Sequence, residues 1–141
     1  DTRGLKIMKN VLLVFLLFII SGCATAPDRS AAQNAYYGQK PNEQEKIVII
    51  TEYIKNSLID PDSLKLRCGN PRKGWARRFY SDPVTFGYVF VCYANAKNQF
   101  GGYAGEKLYV FLFNDKGQQV FANENTALGP LKKGLEFDFV D

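Results

Sequence analysis

Few residues of this chain can do covalent chemistry. Three cysteines are candidates for thiol modification or disulfide formation, at Cys23, Cys68 and Cys92. The sequence contains no histidine, so catalytic pairs of the Ser-His or Cys-His kind cannot form within the chain. The same absence removes the commonest nitrogen ligand of a zinc site.

Two further combinations of residues have catalytic counterparts elsewhere. Asp60 and Asp62 are spaced as a carboxylate pair, but two acids around a proline directly after a predicted helix are typical of a turn. Ser63 and Lys65 would share a strand face, as a Ser-Lys dyad requires, yet no oxyanion-hole motif accompanies them. We therefore predict that the protein is not an enzyme and uses no metal or other cofactor.

An apolar run precedes the first cysteine. It covers ten residues, 11–20, whereas a helix needs about 20 to cross a bilayer. The positive segment MKN at 8–10 and the small residues at 21–22 complete the layout of a secretory signal. We predict a signal peptide over 1–22, in which residues 1–7 are an upstream leader or a longer positive region.

The sequence ISGC at 20–23 resembles the lipobox of bacterial lipoproteins, in which the cysteine is acylated and becomes the mature N-terminus. The resemblance implies lipid at Cys23, where each buried methylene contributes about 0.8 kcal/mol to membrane binding. An aspartate after that cysteine would resemble an inner-membrane retention signal, and Ala24 stands there instead. The implied location is the cell envelope, at the outer membrane facing the periplasm in a Gram-negative source. An ordinary signal with an incidental Cys23 is the alternative.

Composition limits the rest of the chain. Removal of residues 1–22 leaves 119 residues, enough for one domain with a modest core. It also removes three basic and one acidic residue, so the net charge falls from +4 to +2. A charge this small points to no particular partner. No nucleic-acid-binding module is recognised, so we expect no nucleic acid partner.

Cys68 and Cys92 remain as a pair once Cys23 is assigned to lipid. Disulfides form in the compartments that exported proteins reach. A bridge would close a loop of about 25 residues and stabilise the fold by roughly 3.5 kcal/mol in the chain-entropy model. We predict this disulfide, and two buried thiols beyond bridging distance are the alternative.

The first part of the mature chain has the composition of a linker. Residues 24–41 are rich in Ala, Ser, Gln, Pro and Gly and show no sustained apolar period. We predict a lipidated flexible tether over 23–41 and a single domain over 42–141. The domain would begin with a helix from Glu43 to Leu58, which has apolar residues along one face and Asn42 as its N-cap.

The remaining pattern predicts strands. Alternation predicts a short strand at 64–68, and residues 69–83 are predicted as an irregular loop. Residues 84–94 are apolar on both alternating faces, which predicts a central strand. The next two strands, at 107–113 and 118–121, flank an Asn-Asp-Lys-Gly turn and predict a hairpin.

The tail from Gly129 either adds an edge strand or frays. A helix followed by antiparallel strands predicts an α+β fold, with one N-terminal helix packed on a small antiparallel sheet of three to five strands.

Three segments carry a second resemblance: DPDSLK at 60–65, VC at 91–92 and NAKNQFGGYAG at 95–105. Together they resemble a group of uncharacterised small exported bacterial proteins, many of them lipoproteins, with DPDS-x-K and NAKN-x-FGGY-x-G segments. The resemblance spans about residues 45–121. It implies the domain boundary and no particular activity.

The last of these segments follows the predicted central strand. Its glycines permit backbone angles that side chains disfavour, and its asparagines can bond the local backbone, so it is either a structural turn or a binding surface. The candidate binding residues are Asn95, Lys97, Asn98, Gly101, Gly102 and Tyr103.

A second candidate surface is basic. Six cations and no acid occur from Lys65 to Arg78, and arginine pairs bidentately with phosphate or carboxylate. The candidates for binding an anionic polymer or lipid head group are Arg67, Arg72, Lys73, Trp75, Arg77 and Arg78. A solvated loop whose Trp75 folds back on the core is the alternative.

These features predict a lipid-anchored cell-envelope protein that acts as a non-catalytic binding or assembly module. Its partners would be the membrane, through the N-terminal lipid, and another envelope protein, peptidoglycan or an anionic surface polymer. The alternatives are a structural accessory of an envelope or secretion complex and an envelope hydrolase.

Overall fold

The computed structural model describes residues 26–78, 82–125 and 136–140. Within them the chain forms, in order, α1 (Arg29–Asn34), α2 (Glu43–Lys55), the 3₁₀ turn Pro61–Ser63, β1 (Lys65–Cys68), β2 (Arg72–Arg77), β3 (Thr85–Asn95), β4 (Lys107–Asn114), β5 (Gln119–Asn125) and β6 (Glu136–Phe139). The predicted signal peptide at 1–22 and the predicted lipid attachment at Cys23 lie outside the described residues.

Helix α2 is the main helix, and Asn42 sets its start. The Asn42 side-chain oxygen accepts hydrogen bonds from the backbone N–H groups of Gln44 at 3.0 Å and Glu45 at 3.3 Å. These bonds satisfy two donors that the first turn leaves unpaired. The helix ends at Lys55 rather than at Leu58. Across the described part of the chain, no helix is long and apolar enough to cross a bilayer.

The six strands of the described residues form one antiparallel sheet. Its order is β5-β4-β3-β2-β6, and β1 pairs with β3 beside β2. Strand β3 is central, with β4 along one edge and both β1 and β2 along the other. The α+β class with one main helix on an antiparallel sheet is confirmed. The sheet is larger than the three to five strands that we predicted.

Two strands account for the difference. Strand β2 lies in the segment 69–83, which we predicted to be a loop, and β6 lies in the tail. The sequence of β2 is RKGWAR, in which charged residues outnumber apolar ones, so no alternation marks it. It is a strand because it pairs with β3 on one edge and with β6 on the other.

Strand β3 is buried on both faces, as a central strand must be. On one face, α2 covers a cluster of buried residues: Ile50, Ile54, Phe90, Cys92, Ala94, Tyr109, Phe111 and Phe113. The opposite face holds a smaller cluster: Ala76, Val89, Val110 and Leu112. Burial of each large apolar side chain stabilises the fold by about 1.5–3 kcal/mol. The cluster beneath α2 is therefore the larger source of stability.

The pairing registers of β1 and β2 on β3 differ by one residue. Cys68 lies opposite Cys92 and Arg72 lies opposite Val89. The chain advances four residues from Cys68 to Arg72, whereas the paired stretch of β3 advances three, from Cys92 to Val89. One extra residue therefore lies in the segment 69–71. One extra residue on one strand is a β-bulge. As a result, even-numbered residues of β1 and odd-numbered residues of β2 share the face of the sheet that carries α2.

The register of β1 also brings the two cysteines together. The structure joins Cys68 and Cys92 in a disulfide whose Cα atoms lie 4.0 Å apart. Cys92 is fully buried in the cluster beneath α2, and Cys68 packs against that cluster. The bridge thus fixes β1 to the central strand at the edge of the core.

Part of the segment 28–40, which lies within the predicted tether, packs on the sheet through Ala32 and Tyr37. Tyr37 is 4% exposed, and its ring meets Phe86 edge-to-face with 5.7 Å between centroids. Its hydroxyl donates a hydrogen bond to the backbone carbonyl oxygen of Ala32 at 2.6 Å. Burial raises the pKa of Tyr37 above its ordinary value. This packing depends on one buried aromatic residue and a helix of only six residues. It therefore produces no regular apolar period in the sequence.

The double variant Cys68→Ala with Cys92→Ala is expected to lower the free energy of unfolding by about 3 kcal/mol. The bridge joins residues 24 positions apart, and its loss frees the unfolded chain to occupy more conformations. Urea denaturation of the oxidised protein and the variant measures the difference. Nonreducing mass spectrometry should show the native protein two protons lighter than its reduced form, and two freely alkylated thiols would contradict the bridge.

Candidate binding site

The two longer segments of the second resemblance meet beyond the end of β3. The backbone N–H of Lys97 donates a hydrogen bond to Ser63 Oγ at 2.8 Å. The Ser63 hydroxyl donates to the backbone carbonyl oxygen of Asp60, also at 2.8 Å. Ser63 therefore ties the 3₁₀ turn to the loop between β3 and β4. We name residues 59–65 and 95–105 the tip.

Two asparagine side chains hold the loop of the tip. Asn98 Oδ1 accepts hydrogen bonds from the backbone N–H groups of Phe100 at 2.9 Å and Gly102 at 3.2 Å. Asn95 Oδ1 accepts one from the Gly105 N–H at 3.1 Å. The prediction that these asparagines bond the local backbone is confirmed. Their bonds give the loop a defined shape.

Two glycines of the loop adopt backbone angles that favour glycine. The φ angle is 80° at Gly101 and 98° at Gly105, both in the left-handed region. At Gly102 an added Cβ would lie 4.0 Å from its nearest neighbour. The structure therefore gives a conformational reason for the first two glycines and no steric reason for Gly102.

The tip exposes apolar side chains to solvent. Phe100 is 86% exposed and Ile59 is 71% exposed. A cleft of about 230 Å³ lies between the loop and the end of α2, and its lining includes Leu58, Ile59 and Tyr109. Large apolar side chains on a well-defined surface mark interaction sites more often than single scattered ones do.

Two ammonium groups lie beside one aromatic ring of the tip. Lys65 Nζ is 4.2 Å from the centroid of the Tyr103 ring, and Lys97 Nζ is 6.0 Å from it. A cation–π contact at an exposed site contributes about 0.5–1 kcal/mol. The tip therefore presents positive charge next to apolar surface.

The basic segment does not form the exposed loop that we considered. Trp75 is 5% exposed and Arg77 is 2% exposed, so neither side chain forms part of an exposed basic surface. The Nε and Nη2 atoms of Arg77 each lie 2.6 Å from Glu136 Oε2. This ion pair neutralises the buried guanidinium and joins β2 to β6. Trp75 packs inside, as in the alternative we considered, but on a strand.

The other four basic candidates are exposed and do not form one cluster. Arg67 and Arg72 lie on the face of the sheet opposite α2, as their pairing with β3 requires. Lys73 lies on the α2 face, with its ammonium group 5.3 Å from the centroid of the Tyr37 ring. Arg78 follows the end of β2. The structure thus divides the basic segment between the interior and both faces.

The catalytic combinations considered above have other contacts. The Ser63 oxygen takes part in two hydrogen bonds with the backbone, and the Lys65 ammonium group lies over Tyr103. Asp60 precedes the 3₁₀ turn as its N-terminal cap residue. In the parts of the chain that the structure describes, no three cysteine, aspartate or glutamate side chains are grouped to hold a metal ion. The arrangement at the tip offers contact surface and charge.

No protein-family model, curated protein or solved structure matches this chain. Three residues of the tip are not indicated as binding residues by the sequence. Ile59 and Phe100 were not among the candidates, and Ser63 was considered only as a nucleophile. The sequence carried no signal for the exposure of Phe100, because phenylalanine is more often buried than exposed.

The substitution Asn98→Ala is expected to loosen the loop of the tip, because it removes the acceptor of two backbone N–H groups. Hydrogen exchange at the amides of Phe100 and Gly102 should accelerate about tenfold. Mass-spectrometric or NMR exchange measurements resolve this change. The substitution Gln99→Ala, at the exposed neighbouring residue, is the matched control and should leave these rates unchanged. Equal rates in both variants would contradict the assignment.

Proposed function

We propose that this chain is a lipid-anchored cell-envelope protein whose folded domain is a non-catalytic binding or assembly module, and that the tip is its docking surface. The docking surface is proposed from the contact between two segments, DPDSLK at 60–65 and NAKNQFGGYAG at 95–105. Ser63 accepts a hydrogen bond from the backbone of Lys97 in the loop, and Phe100 of the same loop is almost fully exposed. Holding a large apolar side chain in water has a cost in free energy, which docking to a partner removes.

The lipid anchor is proposed from the lipobox resemblance at Cys23. The packing of residues 28–40 then limits how far the domain stands from the bilayer. Three residues lie between Cys23 and Pro27, so their Cα atoms are four steps and at most about 14 Å apart. The domain would therefore sit against the membrane, on a much shorter connection than the predicted tether would give.

This attachment also orients the tip. Tyr37 contacts Phe86 near the start of β3, and the tip follows the end of β3 at Asn95. Nine residues of strand separate these points, a distance of about 30 Å. With the N-terminal end at the bilayer, the tip lies at the far end of the sheet. It is the part of the domain best positioned to meet another envelope component.

The substitution Cys23→Ser is expected to abolish incorporation of palmitate and to move the protein from the membrane to the soluble fraction. The reason is that a hydroxyl cannot replace the thiol that receives the lipid. Metabolic labelling with palmitate followed by fractionation measures both effects. The double variant Cys68→Ala with Cys92→Ala is the matched control and should keep its label. Label retained by Cys23→Ser would contradict the anchor.

A photo-crosslinking residue placed at Phe100 is expected to capture a discrete partner in living cells. The same residue placed at Tyr36 is the control, because Tyr36 is an aromatic residue that is 76% exposed and belongs to the N-terminal segment far from the tip. Products are compared by gel shift and identified by mass spectrometry. Identical products from the two positions, or no product from position 100, would argue against the tip as a docking surface.

A further inference from the structure

Three cations lie in a row on the face of the sheet opposite α2. Lys65 pairs with Asn95, Arg67 with Tyr93 and Arg72 with Val89. The partners on β3 are all odd-numbered, and side chains alternate along a strand, so the three cations share one face. The bulge at 69–71 makes this possible, since without it Arg72 would point to the other side. We name Lys65, Arg67 and Arg72 the cationic row.

Each cation of the row lies over an aromatic ring. The distance to the ring centroid is 4.2 Å from Lys65 Nζ to Tyr103, 4.4 Å from Arg67 Cζ to Tyr93, and 4.1 Å from Arg72 Cζ to Phe139. All three cations are exposed. Contact with a ring restricts a long side chain before any ligand arrives, which reduces the entropy lost on binding.

The row extends along the sheet. It follows β3 from Asn95 to Val89, six residues of strand, which corresponds to about 20 Å. Charges spread over that length suit a chain that repeats its anionic groups rather than a single small anion. Guanidinium groups pair with carboxylates through two parallel hydrogen bonds.

The carboxylate of Glu106 lies beside Arg67 in the row. Glu106 Oε2 is 3.5 Å from Arg67 Nη2, and both side chains are more than half exposed. An exposed ion pair of this kind contributes about 0–1 kcal/mol, so an incoming carboxylate can replace Glu106 at little cost. Glu106 therefore competes only weakly with a ligand at Arg67.

We infer that the cationic row binds an extended acidic glycan through its carboxylate groups. Tyr93 and Tyr103 are 37% and 42% exposed, which leaves aromatic surface beside the cations on which pyranose rings can pack. This inference goes beyond the proposed docking function, because it concerns the sheet face and does not require Phe100.

The test uses the detergent-purified full chain and an alginate hexasaccharide, with neutral maltohexaose as the control ligand. Binding is measured by calorimetry at about 0.1 M salt, where exposed charges farther apart than about 10 Å are screened. The variant Lys65→Gln with Arg67→Gln and Arg72→Gln is expected to raise the alginate dissociation constant about tenfold.

The matched control variant removes the same charges elsewhere. It combines Lys116→Gln, Arg29→Gln and Lys40→Gln, three exposed cations outside the row, and should change the dissociation constant by about twofold or less. Thermal denaturation confirms that both variants fold. Equal weakening in the two variants would overturn the inference, because it would indicate attraction by net charge alone. Equal affinity for alginate and maltohexaose would overturn it as well.

The substitution Glu106→Gln gives a test in the opposite direction. It removes the competing carboxylate and should tighten alginate binding about twofold, whereas unchanged or weaker binding would contradict competition at the row. A polyglutamate peptide that binds more tightly than alginate would overturn the glycan and indicate an acidic protein partner. None of these outcomes depends on crosslinking at Phe100, so the inference and the docking function can fail separately.

Discussion

The one-residue shift between β1 and β2 is the constraint on which both the core and the surface of this protein depend. Side chains alternate along a strand, so a shift of one residue exchanges the faces of every position that follows. Because of it, Cys68 can meet Cys92 beneath α2 while Trp75, seven residues later, also points to that side. The same shift returns Arg72 to the face that carries Lys65 and Arg67. Without the bulge the two faces of β2 would be exchanged. Arg72 would then lie on the face that carries α2, and Trp75 would lie on the opposite face.

One basic residue of β2, Arg77, is buried and requires an acidic partner. A guanidinium on a side chain that is only 3% exposed, as at Arg77, needs a partner in the low-dielectric interior, and Glu136 supplies one. Strand β6 is therefore coupled to β2 by charge as well as by backbone hydrogen bonds. Gly74 allows the same two strands to approach closely, since an added Cβ would lie 2.6 Å from the backbone oxygen of Asp138. At this edge of the sheet, the Arg77–Glu136 ion pair and the absence of a side chain at Gly74 together allow β6 to pack against β2.

These features explain what the sequence could and could not predict. Helix α2, the central strand and the β4–β5 hairpin bury continuous apolar faces, and such faces appear in the sequence as regular periods. Strand β2 and residues 28–40 are held by an ion pair, ring contacts and one buried tyrosine, which leave no period. At the tip, the asparagines and glycines predicted a turn because local hydrogen bonds and φ angles belong to those residue types. The exposure of Phe100 depends on how the loop leaves the sheet, and composition does not contain that information.

The two proposed surfaces have a geometrical relation that follows from β3. The cationic row runs along the strand axis and begins at Lys65, which also contacts Tyr103 within the tip. If the N-terminal end of the domain lies at the bilayer, the strand axis points away from it, and a polymer in the row would lie along that direction and reach the tip. A carboxylate that pairs with the Lys65 ammonium group over the Tyr103 ring would neutralise that positive charge. Occupation of the row would therefore alter the charge of the tip, which couples the two proposed surfaces through a single lysine.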